Sequence, residues 1–237
     1  MNTNIDIGFV IIWFVVFLFS LSFHESAHAW TSERFGDDTG RLQGRITLNP
    51  IAHIDPIGTI VFPLIGIITS VPLFGWAKPV PTNPLLWREK TKANISVSAA
   101  GPISNFILMT VSFIALKTLI MTGVMTLNYR ARNFYDFVAP AQGQAAFLQP
   151  VAMFLGVMLL LNLGLGVFNL IPVPPLDGSS ALGLLLSDAG GRRLQAWMAR
   201  PVLAFGGLLV AWLLMPRIFA PVHAAALGLL YAGAGAG

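Results

Sequence analysis

The chain has 237 residues, of which 55% are hydrophobic and only 10% are charged, and its mean hydropathy is +0.74. Because a soluble domain is about 25% charged, this composition excludes an ordinary soluble protein and indicates a polytopic membrane protein. The net charge of +4 comes from basic residues in short loops, which indicates membrane topology and not nucleic-acid binding. The chain contains no cysteine, so a transition-metal site would have to use His, Asp or Glu.

The first apolar region extends from about Ile7 to Trp30 and ends in an ionisable cluster, "HESAH", at residues 24–28. Ionisable side chains at membrane depth are costly and usually mark a functional site. The small residues of "AHA", at positions 27–29, leave a cleaved secretory signal as an alternative. That alternative is disfavoured because Met1 to Asp6 contains no Lys or Arg, so the basic start of a signal peptide is missing.

Four more apolar regions follow. The second, about Ile57 to Trp76, is interrupted by prolines and glycines; the third is about Ile95 to Val124 and the fourth about Phe147 to Phe168. A short apolar piece, Ser180 to Leu186, precedes the fifth region, about Pro201 to Tyr231, in which Pro216 and Pro221 allow one long helix or a helical hairpin. These regions predict an all-α polytopic membrane protein with about five to six membrane segments, one of them a re-entrant hairpin.

The basic residues favour the hairpin for the second region. If this region crossed the membrane fully, the basic loops before and after it would lie on opposite sides. If it re-enters, one side carries Arg34, Arg41, Arg45, Lys78, Arg88, Lys90, Lys92, Arg192, Arg193 and Arg200. The positive-inside bias favours the second arrangement, and irregular backbone at membrane depth is allowed where protein or water satisfies it. We therefore expect the N-terminus outside the cell and the basic loops in the cytoplasm.

The "HESAH" cluster has the spacing of a metal site. His24 and His28 are four residues apart, so on a helix both imidazoles can reach one tetrahedral ion. Glu25 is displaced to the side, where it can reach a water molecule; this is the H-E-x-x-H arrangement of two ligands and a general base. The alternative is two interface histidines beside a charge. An isolated carboxylate near hydrocarbon would have to pair or protonate, whereas a divalent cation stabilises its ionised form.

A third protein ligand is expected, since a catalytic zinc usually has three. The candidates are His53 and Asp55 in "NPIAHIDPIG" and Asp177 in "FNLIPVPPLDGSSAL". Asp177 is favoured because it follows a proline-rich break in an apolar region, where a side chain can point inward, and Gly178 permits close backbone approach. On the residues alone, the N-cap of a helix after the Pro-Pro turn, a very common use of Asp, is favoured over a metal ligand at Asp177.

Several motifs together resemble the site-2 protease family of intramembrane zinc metalloproteases. They are "HESAH", "GRITLNPIAHIDPIG" at residues 44–58, "GWAKPVP" at 75–81, "AAGPISN" at 99–105 and "FNLIPVPPLDG" at 168–178. The resemblance implies one zinc ion per chain, held by His24, His28 and Asp177, with Glu25 activating the water. It also implies that Asn169 and Asn105 bind substrate, although a buried amide that bonds across helices is an alternative for both.

The resemblance is to a minimal member of the family. The segment after Asp177 is "DGSSAL", which lacks the basic residue often found there, and Gly123 to Ala146 is too short for a PDZ domain. No CBS-like tail is apparent. We therefore expect one intramembrane metalloprotease domain over residues 1–237, with a catalytic core of about 7–188 and C-terminal membrane segments at about 201–232.

The implied function is hydrolysis of a peptide bond within or near the transmembrane helix of a membrane-tethered substrate. The expected partners are a single-span membrane protein and the lipid bilayer, with no nucleic acid, and the expected location is a bacterial inner membrane with the site towards the cytoplasm. The region from Ile57 to Trp76 is expected to offer a strand-like edge to the substrate. The alternative is a transporter or non-proteolytic zinc protein, disfavoured because Ile95–Leu116 and Phe147–Phe168 carry no ionisable side chain.

Overall fold

The computed structural model describes residues 6–69, 75–128, 136–185 and 200–232, with separate positions 190, 193, 194, 197 and 198. Its helices are α1 (Ile7–Arg34), α2 (Thr39–Leu42), α3 (Phe62–Thr69), α4 (Lys90–Met121), α5 (Leu148–Asn169) and α6 (Pro201–Tyr231). Short 3₁₀ helices cover Pro50–Ala52 and Asp177–Leu185, and a π-helical turn, Pro56–Val61, leads into α3. Strands β1 (Met125–Leu127) and β2 (Val138–Pro140) form one antiparallel pair.

Four of these helices, α1, α4, α5 and α6, are long and apolar enough to cross a membrane, and a shorter apolar helix covers Pro56–Gly66. The predicted class, an all-α polytopic membrane protein, is confirmed, with the β1–β2 pair as the exception. Helix α5 lies at the centre. In its most apolar 18-residue stretch, 78% of the residues are buried, whereas the corresponding fractions are 33% for α1, 28% for α4 and 17% for α6. A helix that is apolar on all sides can be buried on all sides, so α5 forms the core against which the other three pack.

Helix α1 carries the ionisable cluster near its C-terminal end. It begins after Asp6, whose carboxylate accepts a hydrogen bond from the Phe9 N–H at 3.1 Å. It ends at Arg34, and Gly36 adopts a φ of 104° beyond it, a conformation that glycine permits. At 1.5 Å per residue, its 28 residues measure about 42 Å, and His24 lies about 26 Å from its start. The cluster is therefore about 15 Å from the Arg34 end.

The second apolar region leaves and returns at the same end of the bundle. The Trp76 N–H donates to the Gly58 carbonyl at 3.3 Å, and the Thr59 hydroxyl donates to the Trp76 carbonyl at 2.9 Å. This return is what a re-entrant hairpin requires. In addition, the Arg88 N–H donates to the Phe35 carbonyl at 2.9 Å, so the end of α1 meets the start of α4. The basic loops before and after the region therefore lie at one end.

The expectation of a strand-like edge in this region is wrong for residues 56–69, because they are helical. Pro63 lies where the π-helical turn passes into α3, and membrane helices tolerate proline when neighbouring groups satisfy the freed backbone. Pro72, like Leu186 and Arg192, lies outside the described residues.

The fifth apolar region is one helix, α6, which continues through Pro216 and Pro221. Membrane helices tolerate proline when neighbouring groups satisfy the freed backbone. Its C-terminal end is held by α4, because the Lys117 ammonium donates to the carbonyls of Leu229 and Leu230 at 3.0 and 2.8 Å. A lysine at the last carbonyls of a helix also interacts favourably with the helix dipole.

Candidate metal centre

Three predicted ligands meet beside α1. His24 and His28 are buried on one face of the helix, and their Nε2 atoms are 3.0 Å apart. Asp177, at the start of its 3₁₀ helix, places Oδ2 3.2 Å from Nε2 of His24 and Oδ1 3.4 Å from Nε2 of His28. Among the described residues, this is the only group of three or more His, Asp or Glu side chains with ligand atoms within 4.8 Å of one another.

The outer nitrogens of both histidines bond to groups that only accept. Nδ1 of His28 lies 2.6 Å from the Val97 carbonyl oxygen, and Nδ1 of His24 lies 2.6 Å from Oδ1 of Asn105. Because neither oxygen carries a proton, each Nδ1 must be the donor. A neutral imidazole protonated on Nδ1 has its lone pair on Nε2. The lone pairs of both histidines and the carboxylate of Asp177 therefore face the same space.

These groups fit a zinc ion. Two unprotonated Nε2 atoms cannot hydrogen bond to each other, yet they are 3.0 Å apart. Oδ2 of Asp177 is buried and has no hydrogen-bond donor among the described residues. Buried electron-pair donors crowded in this way repel one another unless a cation lies between them. Two imidazole nitrogens and one carboxylate are also a donor set of catalytic zinc.

Glycines let the surrounding helices approach the ligands. A Cβ atom on Gly101 of α4 would lie 2.5 Å from Nε2 of His24 and would overlap Nε2 of His28. A Cβ on Gly178 would overlap the Leu170 carbonyl at the end of α5. The Ser98 hydroxyl of α4 donates to the Ser180 hydroxyl at 2.7 Å, which ties the Asp177 helix to α4. The glycines of "AAGPISN" and "PPLDG" therefore have a packing role at the site.

Glu25 is held beside the ligands without joining their cluster, as expected for a general base. Its Oε2 accepts a hydrogen bond from the Val80 N–H at 3.0 Å. Val80 lies in the extended "GWAKPVP" segment, which Arg45 fixes: the guanidinium donates to Ala52 O at 2.6 Å, to Pro79 O at 2.9 Å and to Lys78 O. Arg45 is only 5% exposed. From the sequence, Arg45 is predicted only to be a loop charge. Although Arg45 lies in the "GRITLNPIAHIDPIG" motif, the motif does not signal this role, because the partners of Arg45 are backbone carbonyls.

The two alternative ligands have other partners. His53 is buried and donates from Nε2 to the Thr47 carbonyl at 2.9 Å. Burial lowers the pKa of its imidazole below the usual 6.5, and the Arg45 charge acts in the same direction. The Asp55 carboxylate caps the π-helical turn, accepting from the N–H groups of Ile57 and Gly58 at 3.1 and 2.7 Å. Neither side chain belongs to the ligand cluster.

The two predicted substrate-binding asparagines lie in different surroundings. Asn105 is fully buried and contacts His24. Asn169 is partly exposed at the end of α5, and its Nδ2 donates to the Leu165 carbonyl of its own helix at 3.1 Å. Their binding of substrate stays a prediction.

Comparison with known proteins identifies the family of the chain. The family model described as "Peptidase family M50" matches residues 12–214. The chain is 39% identical over 164 residues to "Putative zinc metalloprotease YwhC" of Bacillus subtilis, covering 69% of this chain and 64% of that protein. It is 31% identical over 210 residues to "Putative zinc metalloprotease Rip2" of Mycolicibacterium smegmatis, covering 88% of this chain and 68% of the relative.

The Rip2 protein of Mycobacterium tuberculosis (strain H37Rv) is 31% identical over 166 residues, which cover 70% of this chain and 53% of the relative. The chain thus spans less than two thirds of the length of the Bacillus subtilis and Mycobacterium tuberculosis relatives. No solved structure gives a significant match. Because the family model covers the region that supplies His24, His28 and Asp177, the chain belongs to peptidase family M50, the site-2 protease family.

Proposed function

We propose that the protein is an intramembrane zinc metalloprotease that hydrolyses a peptide bond within or near the transmembrane helix of a membrane-tethered protein. The observation that carries this proposal is the convergence of His24, His28 and Asp177 on a membrane-spanning helix, with Glu25 beside them. The names of the relatives, which describe zinc metalloproteases, support it. The activity corresponds to regulated intramembrane proteolysis, in which cleavage releases a membrane-tethered protein.

Each side chain of the site has its own role in this proposal. One zinc ion, held by the Nε2 atoms of His24 and His28 and by Asp177, would polarise a carbonyl group and acidify a water molecule. Glu25 is the general base, which takes a proton from the attacking water and returns it to the leaving nitrogen. The Val80 N–H holds Oε2 of Glu25, while Oε1 makes no hydrogen bond to the described residues. Oε1 is therefore the oxygen that we assign to the transferred proton.

The position of the basic loops supports a cytoplasmic orientation. The ligands lie about 15 Å from the Arg34 end of α1, and the basic loops gather at that end. The positive-inside rule favours the cytoplasm for this end, and the proposed location is a bacterial inner membrane with the N-terminus outside. The loop from residue 34 to residue 55 is the route for water, and the substrate is a single-span helix that must unwind locally to expose its scissile carbonyl.

The test is Glu25→Gln in protein reconstituted into liposomes with a panel of single-span model substrates. Glutamine keeps the size of the side chain and its bond to the Val80 N–H, but it cannot take the proton. We expect zinc to be retained and cleavage to fall by about 10²–10⁴-fold, the usual contribution of a general base. Glu33→Gln, in the same helix but paired with Arg41, is the control and should cleave normally.

Two results would contradict this assignment. Cleavage by Glu25→Gln at the wild-type rate would remove Glu25 as the base. Loss of zinc from that variant would make Glu25 a ligand, and the assignment of three ligands would then be wrong.

A further inference from the structure

We propose that Asn162 of α5 is a positioning residue that acts through Asn105 to keep the proton of His24 on Nδ1. This role rests on the proposed metal site, since its consequence is that Nε2 of His24 stays free to bind the ion. Among the described residues, the hydrogen bonds link Asn162 to His24 only through Asn105, and Asn162 belongs to none of the sequence motifs. The inference comes from the direction of four hydrogen bonds that link three helices.

The bonds form a continuous path from α5 to α1. The Asn162 amide nitrogen, Nδ2, donates to the Met158 carbonyl and to the Ser20 hydroxyl, each at 2.9 Å. Nδ2 of Asn105 on α4 donates to Oδ1 of Asn162 at 2.9 Å. Oδ1 of Asn105 is then 2.6 Å from Nδ1 of His24. The path therefore ends at the nitrogen that faces away from the metal site.

The Met158 carbonyl gives this path its direction. A backbone carbonyl can only accept, so the group of Asn162 that faces it must be the NH₂. The Asn162 oxygen then faces Asn105 and requires the NH₂ of Asn105, which turns the Asn105 oxygen towards His24. That oxygen in turn requires a proton on Nδ1. Each amide could be rotated in isolation, but the fixed carbonyl orients both of them.

Burial makes the orientation costly to reverse. Asn105 and Asn162 are both 0% exposed, so water does not compete for their amide groups. Rotating the Asn105 amide would place its oxygen against the Asn162 oxygen and would leave buried polar groups unpaired, which costs free energy. Without the Asn162 acceptor that cost disappears. Asn105 can then donate to Nδ1 of His24, the ring proton moves to Nε2, and the lone pair is no longer directed at the metal.

The experiment compares Asn162→Leu with Asn162→Asp. Leucine has a similar volume but no acceptor for Nδ2 of Asn105, whereas an aspartate oxygen can accept that bond in either protonation state. Ser112→Ala is the control; it removes a buried hydroxyl of α4 whose hydrogen bond, among the described residues, goes to Leu108 O of the same helix. If Asn162→Leu does not insert and fold, Asn162→Ala replaces it.

Two measurements are made on each variant. Nitrogen-15 NMR of histidine-labelled, metal-free protein at mildly alkaline pH identifies which ring nitrogen of His24 carries the proton; the His24 signal is assigned from its loss in His24→Gln. Zinc affinity is measured by competition with a chelator. Wild type, Ser112→Ala and Asn162→Asp should show the Nδ1–H form of His24. Asn162→Leu should shift towards the Nε2–H form and bind zinc at least about tenfold more weakly, as for other outer-shell partners of a metal.

The proposal is overturned if Asn162→Leu keeps the wild-type tautomer and affinity. It is also overturned if the Asp and Leu variants are impaired equally, because that result would show a packing role without proton control. Both outcomes are distinct from a failure of the proposed function, in which wild-type protein itself would bind no zinc.

Discussion

Individual side chains of the site are held by backbone groups from distant parts of the chain. Glu25 is held by the Val80 N–H, and His28 by the Val97 carbonyl. Asp37, beyond the end of α1, accepts from the Asn83 N–H at 2.7 Å and from the Ser32 hydroxyl at 2.8 Å. Trp87 in turn donates from Nε1 to the Ser32 hydroxyl at 2.7 Å. A substitution at one of these residues therefore affects the joint between two segments.

The hydrogen bonds of Asp37 lead us to predict that the contact between the end of α1 and the segment at Asn83 is sensitive to acid. Its side chain is 0% exposed. Burial alone would raise the pKa of its carboxyl, but hydrogen bonds from Thr39, Asn83 and Ser32 outweigh this effect and hold the pKa below the usual 3.8. A depressed pKa contributes stability that is present above the unfolded value and is lost as the pH falls through the folded value. Stability from Asp37 should therefore be lost at pH below about 4.

Thermal unfolding in detergent across this pH range tests the prediction. At neutral pH, Asp37→Asn should be less stable than wild type by about 1–3 kcal/mol, since an amide nitrogen would face N–H and O–H donors. The difference in stability between the variant and wild type should become smaller at acidic pH, where the wild-type carboxyl is protonated. Asp38→Asn, which removes an exposed partner of Arg41, is the control. A gap that stays constant with pH would show that the Asp37 charge is not the source of stability.

At the scale of elements, α6 supports the loop that carries Asp177. The helix packs with Ala211 and Met215 in one cluster with Ile171 and Leu176 of that loop. Gly207 allows a close approach, because a Cβ there would overlap the carbonyl oxygen of Pro174. The metal ligand Asp177 thus depends on a helix that contributes no ligand, and the C-terminal membrane segment is part of the site's scaffold.

Neighbouring glycines of α6 allow a matched test of this support. Alanine in place of glycine within a helix stabilises it by about 1 kcal/mol. At Gly206 a Cβ meets nothing within 4 Å, so Gly206→Ala should bind zinc as wild type does or be slightly more stable. Gly207→Ala gains the same propensity but must push the Pro174 loop away, and we expect zinc affinity to fall by about tenfold or more. Chelator competition measures both; equal affinities would show that α6 does not position Asp177.

Across the whole molecule, local periodicity predicted the features that depend on local structure. The four-residue spacing of "HESAH" predicts a shared helix face, and His24 and His28 lie there. Hydropathy placed the ends of α6 at Pro201 and Tyr231, as observed. The distribution of basic residues favoured a re-entrant second region, and the Trp76–Gly58 contact brings its ends together. Each of these predictions needs only the spacing of residues along the chain, its hydropathy or its distribution of charge.

Features that depend on packing between distant segments were not predictable in this way. On the residues alone, a helix cap was favoured over a ligand at Asp177, and only the fold brings its carboxylate to His24. Arg45 is buried because three carbonyls surround it, and any residue type supplies a carbonyl. The strand-like edge expected in the second region is wrong for residues 56–69, which form a helix although Pro63 lies among them, because membrane helices tolerate proline when neighbouring groups satisfy the freed backbone.

The central claim is that residues 24, 28 and 177 hold one ion, and zinc content per chain tests it most directly. Metal would be measured in purified wild-type protein and in His28→Ala, Asp177→Ala and His53→Ala, each checked for folding. We predict about one zinc per chain in wild type, its loss from the first two variants and its retention in His53→Ala, whose imidazole bonds to the Thr47 carbonyl. Zinc retained by Asp177→Ala, or absent from reconstituted wild type, would contradict the metal centre and the protease proposal with it.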